Sequence, residues 1–96
     1  NTETNAQIQF DLAECYERTG DMARALEEYL KVEYRYPAGE FWLMRARTKC
    51  AELFETEGDL EKACKMYEKL SEGTGKEADQ AKEKVRQLKE RIRRGS

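Results

Sequence analysis

The chain contains no histidine and a single proline, and its three cysteines form no Cys-x-x-Cys pair. Without histidine the commonest general base and metal ligand is gone. No Gly-rich phosphate loop and no nucleophile motif stands in for it. The chain is therefore not expected to be an enzyme, and no cofactor is expected. A zinc site would need all three cysteines plus a carboxylate, an unusual ligand set. Cys15, Cys50 and Cys64 are expected to be reduced, small, buried apolar side chains. No apolar run approaches the roughly 18 residues of a membrane span, so membrane insertion is not expected. No signal-peptide pattern is visible and the first residue is not Met. The chain is expected to be a piece of something longer, and Gly95-Ser96 is set aside as native sequence or remnant.

What is abundant is charge. Of 96 residues, 40% are charged and 39% hydrophobic, a profile that fits a solvated helical protein better than a sheet protein. A chain of this size is expected to be one domain and to bury only about 60–65% of its unfolded surface. The net charge of −2 offers no general attraction to nucleic acid or anionic lipid. It is unevenly spread, with +4 over residues 76–96 and −6 over residues 1–75. The basic tail lacks aromatic residues that would stack on bases, so it is expected to be a capping helix rather than a nucleic-acid reader.

The most informative feature is an internal repeat. Ala13-Glu14-Cys15-Tyr16-Glu17-Arg18-Thr19-Gly20-Asp21 aligns with Ala51-Glu52-Leu53-Phe54-Glu55-Thr56-Glu57-Gly58-Asp59, thirty-eight residues on. Ala25 over Ala63, Tyr29 over Tyr67 and Val32 over Leu70 extend the match. Self-similarity at such a period marks a stacked-repeat architecture, which presents a surface more often than it houses a reaction.

The periodicity predicts five helices and no strand. Thr4-Asn5-Ala6-Gln7 has the spacing of a capping box. The first helix ends at Gly20, where glycine accepts the left-handed conformation. Asp21 caps the second helix, which Pro37 and Gly39 close. A third helix over about 40–57 places Leu43, Ala46, Cys50, Leu53 and Phe54 inward, and Gly58 ends it. Asp59 caps a fourth, which ends at Gly73. Thr74-Gly75-Lys76-Glu77 has capping-box spacing for a fifth, whose stripe is Ala78, Ala81, Val85, Leu88 and Ile92. Ala25 and Ala63 are expected at close helix contacts that admit only a small side chain, with Tyr16/Phe54 and Tyr29/Tyr67 filling the space around them.

On these residues the chain resembles the tetratricopeptide repeat family, a helix–turn–helix unit of about 34 residues. Leu12, Ala13, Tyr16, Gly20, Ala25, Tyr29, Val32 and Pro37 match in the first repeat. Ala51, Phe54, Gly58, Ala63, Tyr67 and Leu70 match in the second. Gln9 and Arg47 replace the usual tryptophan, Cys50 the leucine and Gly75 the proline. The resemblance implies an all-α solenoid fragment: repeat 1 over about 6–39, repeat 2 over about 40–75, and a capping helix over about 76–93. The repeat is four residues longer than that norm, at Glu40-Phe41-Trp42-Leu43. With Glu33-Tyr34-Arg35-Tyr36-Pro37, this is similar to the longer repeats of bacterial cell-envelope proteins, the Tol-Pal coordinator and outer-membrane assembly lipoproteins. Location is left open between the bacterial envelope or periplasm and the cytoplasm. Phe41 or Trp42 is expected to staple onto Tyr34/Tyr36, with an exposed partner anchor as the alternative.

The resemblance also implies that the first helix of each pair lines a concave groove. The groove-facing residues would be Gln7, Phe10, Glu14, Glu17 and Arg18, then Arg45, Thr48, Glu52, Glu55 and Thr56. Four carboxylates against two arginines favour a protein or peptide partner with basic residues. Glu14 and Glu52 recur by repetition, not as an acid–base pair. The chain is thus expected to be an interaction scaffold. The alternative is an assembly domain that homo-oligomerises through its repeat ends, because Ile8, Phe10, Leu12 and parts of Met22 and Leu26 are expected to face outward. A homodimer built on the first two helices follows from that alternative.

Overall fold

A computed structural model describes residues 1–37 and 39–95. The described residues form five α-helices and no strand: α1 (Thr2–Arg18), α2 (Met22–Arg35), α3 (Glu40–Thr56), α4 (Leu60–Ser71) and α5 (Lys76–Gly95). The chain divides into two compact units, one ending at Cys50 and the next beginning at Ala51, so that α3 contributes to both.

In the first unit α1 packs along α2. Ala6, Phe10 and Ala13 of α1 meet the core with Ala25, Tyr29 and Val32 of α2, all buried. Ala25 has no exposed surface, as the repeat pattern requires. Phe10 lies edge-on to Tyr29 with ring centroids 5.2 Å apart, and Trp42 of α3 leans on Phe10 at 5.3 Å. Gly39 brings the start of α3 against α1, where an added Cβ would stand 3.2 Å from that of Ala6. An added side chain at Gly39 would require Ala6 to give way by a few tenths of an ångström. The position expected to hold tryptophan carries Gln9, which is buried and donates its amide to Glu28.

In the second unit α4 packs along α5. Ala63, Cys64, Met66, Tyr67 and Leu70 are buried in α4, and Ala78, Ala81 and Leu88 in α5. Ala63 is as fully buried as Ala25. Along α5 charges pair within the helix, Arg86 with Glu83 and Arg93 and Arg94 with Glu90. Others reach outward, Lys84 and Arg91 to Glu55 and Lys89 to Glu68. The basic tail is therefore largely neutralised at home.

Several local expectations are corrected. α1 begins at Thr2 with Asn1 as its cap, not at Thr4, because the Asn1 side chain accepts from the Thr4 amide at 2.9 Å. α5 starts at Lys76 after Gly75 at φ 91°, so the left-handed backbone of glycine sets that entry. Cys15 is exposed, since it lies on the side of α1 opposite Ala6, Phe10 and Ala13, whereas Cys50 and Cys64 are buried as expected. Phe10 is 1% exposed rather than outward, because Tyr29 and Trp42 close over it. Phe41 meets Trp42 edge-on and Trp42 leans on Phe10, while Tyr34 is 79% exposed.

Candidate functional site

The surface of the A helices, α1 and α3, is organised around two identical corners. At the first, the Gly20 amide donates to Glu17 O at 3.1 Å and the Asp21 amide to Tyr16 O at 2.9 Å. At the second, Gly58 donates to Glu55 O at 3.0 Å and Asp59 to Phe54 O at 2.9 Å. This crossed pair of bonds is the Schellman closure, which satisfies the last helical carbonyls and requires φ > 0 at the glycine. Gly20 and Gly58 have φ of 88° and 84°. Asp21 and Asp59 then cap the next helix by accepting from Arg24 N and Lys62 N. The cationic heads of the same two residues lie over the Tyr16 and Phe54 rings, each 5.7 Å from the centroid.

Each corner holds a half-buried glutamate. Tyr29 donates its hydroxyl to Glu17 at 2.7 Å, and Tyr67 donates to Glu55 at 3.2 Å. Burial, reinforced by the carboxylate, pushes both phenols well above the ordinary tyrosine range. A lysine from a later helix, α3 or α5, completes each cluster. Lys49 approaches Glu17 at 3.7 Å, and Lys84 approaches Glu55 at 3.1 Å. Arg91 adds a second cation to Glu55 at 3.6 Å. The paired spacing, Glu at i and Tyr at i+12 in both repeats, was readable in the sequence as a signal for these clusters but was overlooked.

The ten residues expected to line a groove are thus of different kinds. Glu17 and Glu55 are tied into the clusters just described. Phe10 is buried beneath Arg45, whose guanidinium also covers Phe41 and Trp42 at 5.5 Å from each centroid. Thr48 and Thr56 are exposed and return their hydroxyls to Met44 O and Glu52 O. Gln7, Arg18 and Glu52 are exposed and Glu14 half-exposed. In the first unit Glu14, Glu17, Arg18, Met22 and Lys49 border an open recess of about 270 Å³. Among the described residues no group of Cys, Asp and Glu is placed to hold a metal ion. No helix of the described residues is long and apolar enough to cross a membrane. An open, charged recess bordered by paired helices suits a polypeptide contact, and nothing in it aligns a nucleophile with a base.

The model of the family described as "Soluble NSF attachment protein, SNAP" matches residues 1–80. The chain belongs to the SNAP family. The match spans α1 to α4 and the first residues of α5, so both corners fall within it. No curated protein and no solved structure is matched. The SNAP assignment agrees with a tetratricopeptide-like helical repeat and corrects the likeness to bacterial envelope proteins. That likeness rested on one lengthened loop, and loop length is the part of a repeat that varies most freely. SNAP-like helical-repeat domains are adaptors and scaffolds rather than enzymes, and their partners are proteins.

Proposed function

We propose that this SNAP-family chain is an interaction scaffold that engages a basic polypeptide segment. The observation that carries this reading is the division of labour among four carboxylates. Glu17 and Glu55 are held by Tyr29 with Lys49 and by Tyr67 with Lys84. Glu14 and Glu52 recur at the same repeat position three residues earlier and form no ion pair among the described residues. Glu14 borders the recess of the first unit, where Arg18 and Lys49 limit how many cations a ligand brings. The family's name describes attachment to NSF, and a protein that attaches to another is a binding module.

The test is titration of a lysine-rich peptide and a charge-neutral control of equal length, followed by fluorescence anisotropy. Exposed ion pairs contribute about 0.2–1 kcal/mol each, so Glu14→Gln and Glu52→Gln should each weaken binding by roughly 1.5- to 5-fold. Binding should also fall between about 50 and 500 mM salt. Equal affinity for the two peptides, or no loss in the double variant, defeats the reading.

The second reading is assembly of identical copies through the open N-terminal end. It is favoured by the exposure of Ile8 and Leu12, at 61% and 43%. Sedimentation equilibrium at tens of micromolar tests it, and a monomer mass without concentration dependence rejects it.

A further inference from the structure

Phe10, Phe41 and Trp42 come together in the first unit as a bowl of three rings. Trp42 leans on Phe10 at 5.3 Å with 49° between the ring planes, and Phe41 meets Trp42 edge-on at 5.0 Å and 87°. Phe10 is 1% exposed and forms the floor, Trp42 is half-buried, and Phe41 is 58% exposed and forms the rim. The bowl has an occupant, Arg45, one turn along α3 from Phe41. Its Cζ stands 5.4 Å from the Phe10 centroid and 5.5 Å from those of Phe41 and Trp42. Distances so nearly equal place the charge where the fields of three rings converge.

Arg45 differs from the cations of the glutamate clusters. Among the described residues its guanidinium lies against rings and pairs with no carboxylate, whereas Arg47, Lys49, Lys84 and Arg91 are each held by a glutamate. Arg45 is exposed, and the attraction of rings for an exposed cation is weak, so another cation can displace it. The occupant also indicates what the bowl accepts, a cation of spread charge whose surroundings supply no hydrogen-bond acceptor. An unmodified lysine ammonium carries three strongly hydrated donors that rings cannot satisfy. A trimethylated ammonium has no donor to leave unpaired and offers its methyl groups to the ring faces. We propose that Phe10, Phe41 and Trp42 form a binding site for the trimethylated lysine side chain of a partner polypeptide, with Arg45 as its built-in competitor. That the ligand is a polypeptide rests on the scaffold reading above. The preference for a methylated cation rests on the bowl alone, which shares no residue with the recess at Glu14.

The test uses the full chain and three lysine-rich peptides of one sequence, whose central side chain is lysine, trimethyl-lysine or its uncharged tert-butyl isostere. Trp42 is the only tryptophan of the sequence, so its emission reads occupancy of the bowl, and anisotropy reads affinity. The trimethylated peptide should bind roughly 2- to 5-fold more tightly than the other two and change Trp42 emission. Arg45→Ala removes the competitor and should widen that preference by about twofold or more. Phe41→Leu keeps an apolar side chain at an exposed position and should abolish the preference. Tetramethylammonium chloride, compared with sodium chloride at equal concentration, reads the bowl without any polypeptide and should change Trp42 emission more in Arg45→Ala than in the native chain. An emission that does not distinguish the two salts in either chain overturns the bowl, whether or not the peptides bind. A response to tetramethylammonium without binding of any peptide overturns the polypeptide source and the scaffold reading with it. Equal binding of the trimethylated and uncharged peptides overturns the cation. A preference that survives Phe41→Leu places the methylated group elsewhere and overturns the proposal. Stronger binding of Arg45→Ala to phosphatidylcholine vesicles than to the trimethylated peptide assigns the site to a lipid headgroup and overturns the polypeptide source. Circular dichroism of each variant confirms that the helices are intact before titration.

Discussion

The Glu17 cluster and the Glu55 cluster repeat one construction with different amounts of positive charge. Both glutamates sit one turn before a left-handed glycine and accept a buried tyrosine hydroxyl from the next helix. Among the described residues Glu17 pairs with Lys49 alone, at 3.7 Å, whereas Glu55 holds Lys84 at 3.1 Å and Arg91 at 3.6 Å. The backbone of the corner is dictated by glycine and aspartate and is therefore the same in both. The charge around it comes from whichever helix follows, and so it differs. The repeat pattern alone makes the clusters equal, while the neighbours make the second the stronger anchor.

The largest test of that equivalence is overpacking. Ala25→Leu and Ala63→Leu should each destabilise by about 1–3 kcal/mol in thermal denaturation, because neither site has room for a larger side chain. An unchanged melting temperature for either one breaks the register that relates the two repeats. Next come the glutamates themselves. Glu55→Gln should destabilise by about 1–2 kcal/mol and Glu17→Gln by less than about 1 kcal/mol, discounted because the cationic partners are part-exposed. Urea unfolding in which Glu17→Gln is the costlier change shows that the number of cations is not what separates the clusters.

Smaller still, and expected to be equal, are Gly20→Ala and Gly58→Ala. An added Cβ meets nothing within 4 Å at either glycine, so the whole effect is the left-handed backbone, about 1 kcal/mol in each. Unequal values would mean that one corner is held by its surroundings and not by its own dihedral. The smallest effect appears at high pH. Tyr29 and Tyr67 keep their protons longer in the folded chain than in the unfolded one, because of burial and then the adjacent glutamates. Their contribution is whole below the ordinary tyrosine value of about 10 and declines as pH rises above it. At pH near 10.5 the loss should be under about 1 kcal/mol per tyrosine. Tyr29→Phe and Tyr67→Phe should each flatten the decline of melting temperature with pH, and a slope unchanged by both would sever the link between the phenols and the clusters.

Much of the fold was legible in the chain. The coincidence of alanine, aromatic, glycine and aspartate at two places gave the helical pairs, both corners and the buried alanines. Other features were not legible, for physical reasons. Phe10 was read as outward because Ile8 and Phe10 compete for the inner face of α1 when only helical spacing is considered. Trp42, arriving from α3, decides the matter by closing over Phe10. Cys15 was read as buried by residue type, yet type says little about a helix whose outer face repeats an inner one. Glu17 and Glu55 were read as groove-facing carboxylates, and a linear reading gave no weight to a tyrosine twelve residues on.

By itself the sequence determined where helices start and stop, which positions demand glycine or alanine, and that the chain is a repeat. These are local matters of dihedral preference, capping and side-chain volume, and each is settled within a few residues. Only the tertiary structure decided which charges are tied up inside the clusters. Those outcomes depend on groups brought together from separate helices, where burial raises the strength of an ion pair.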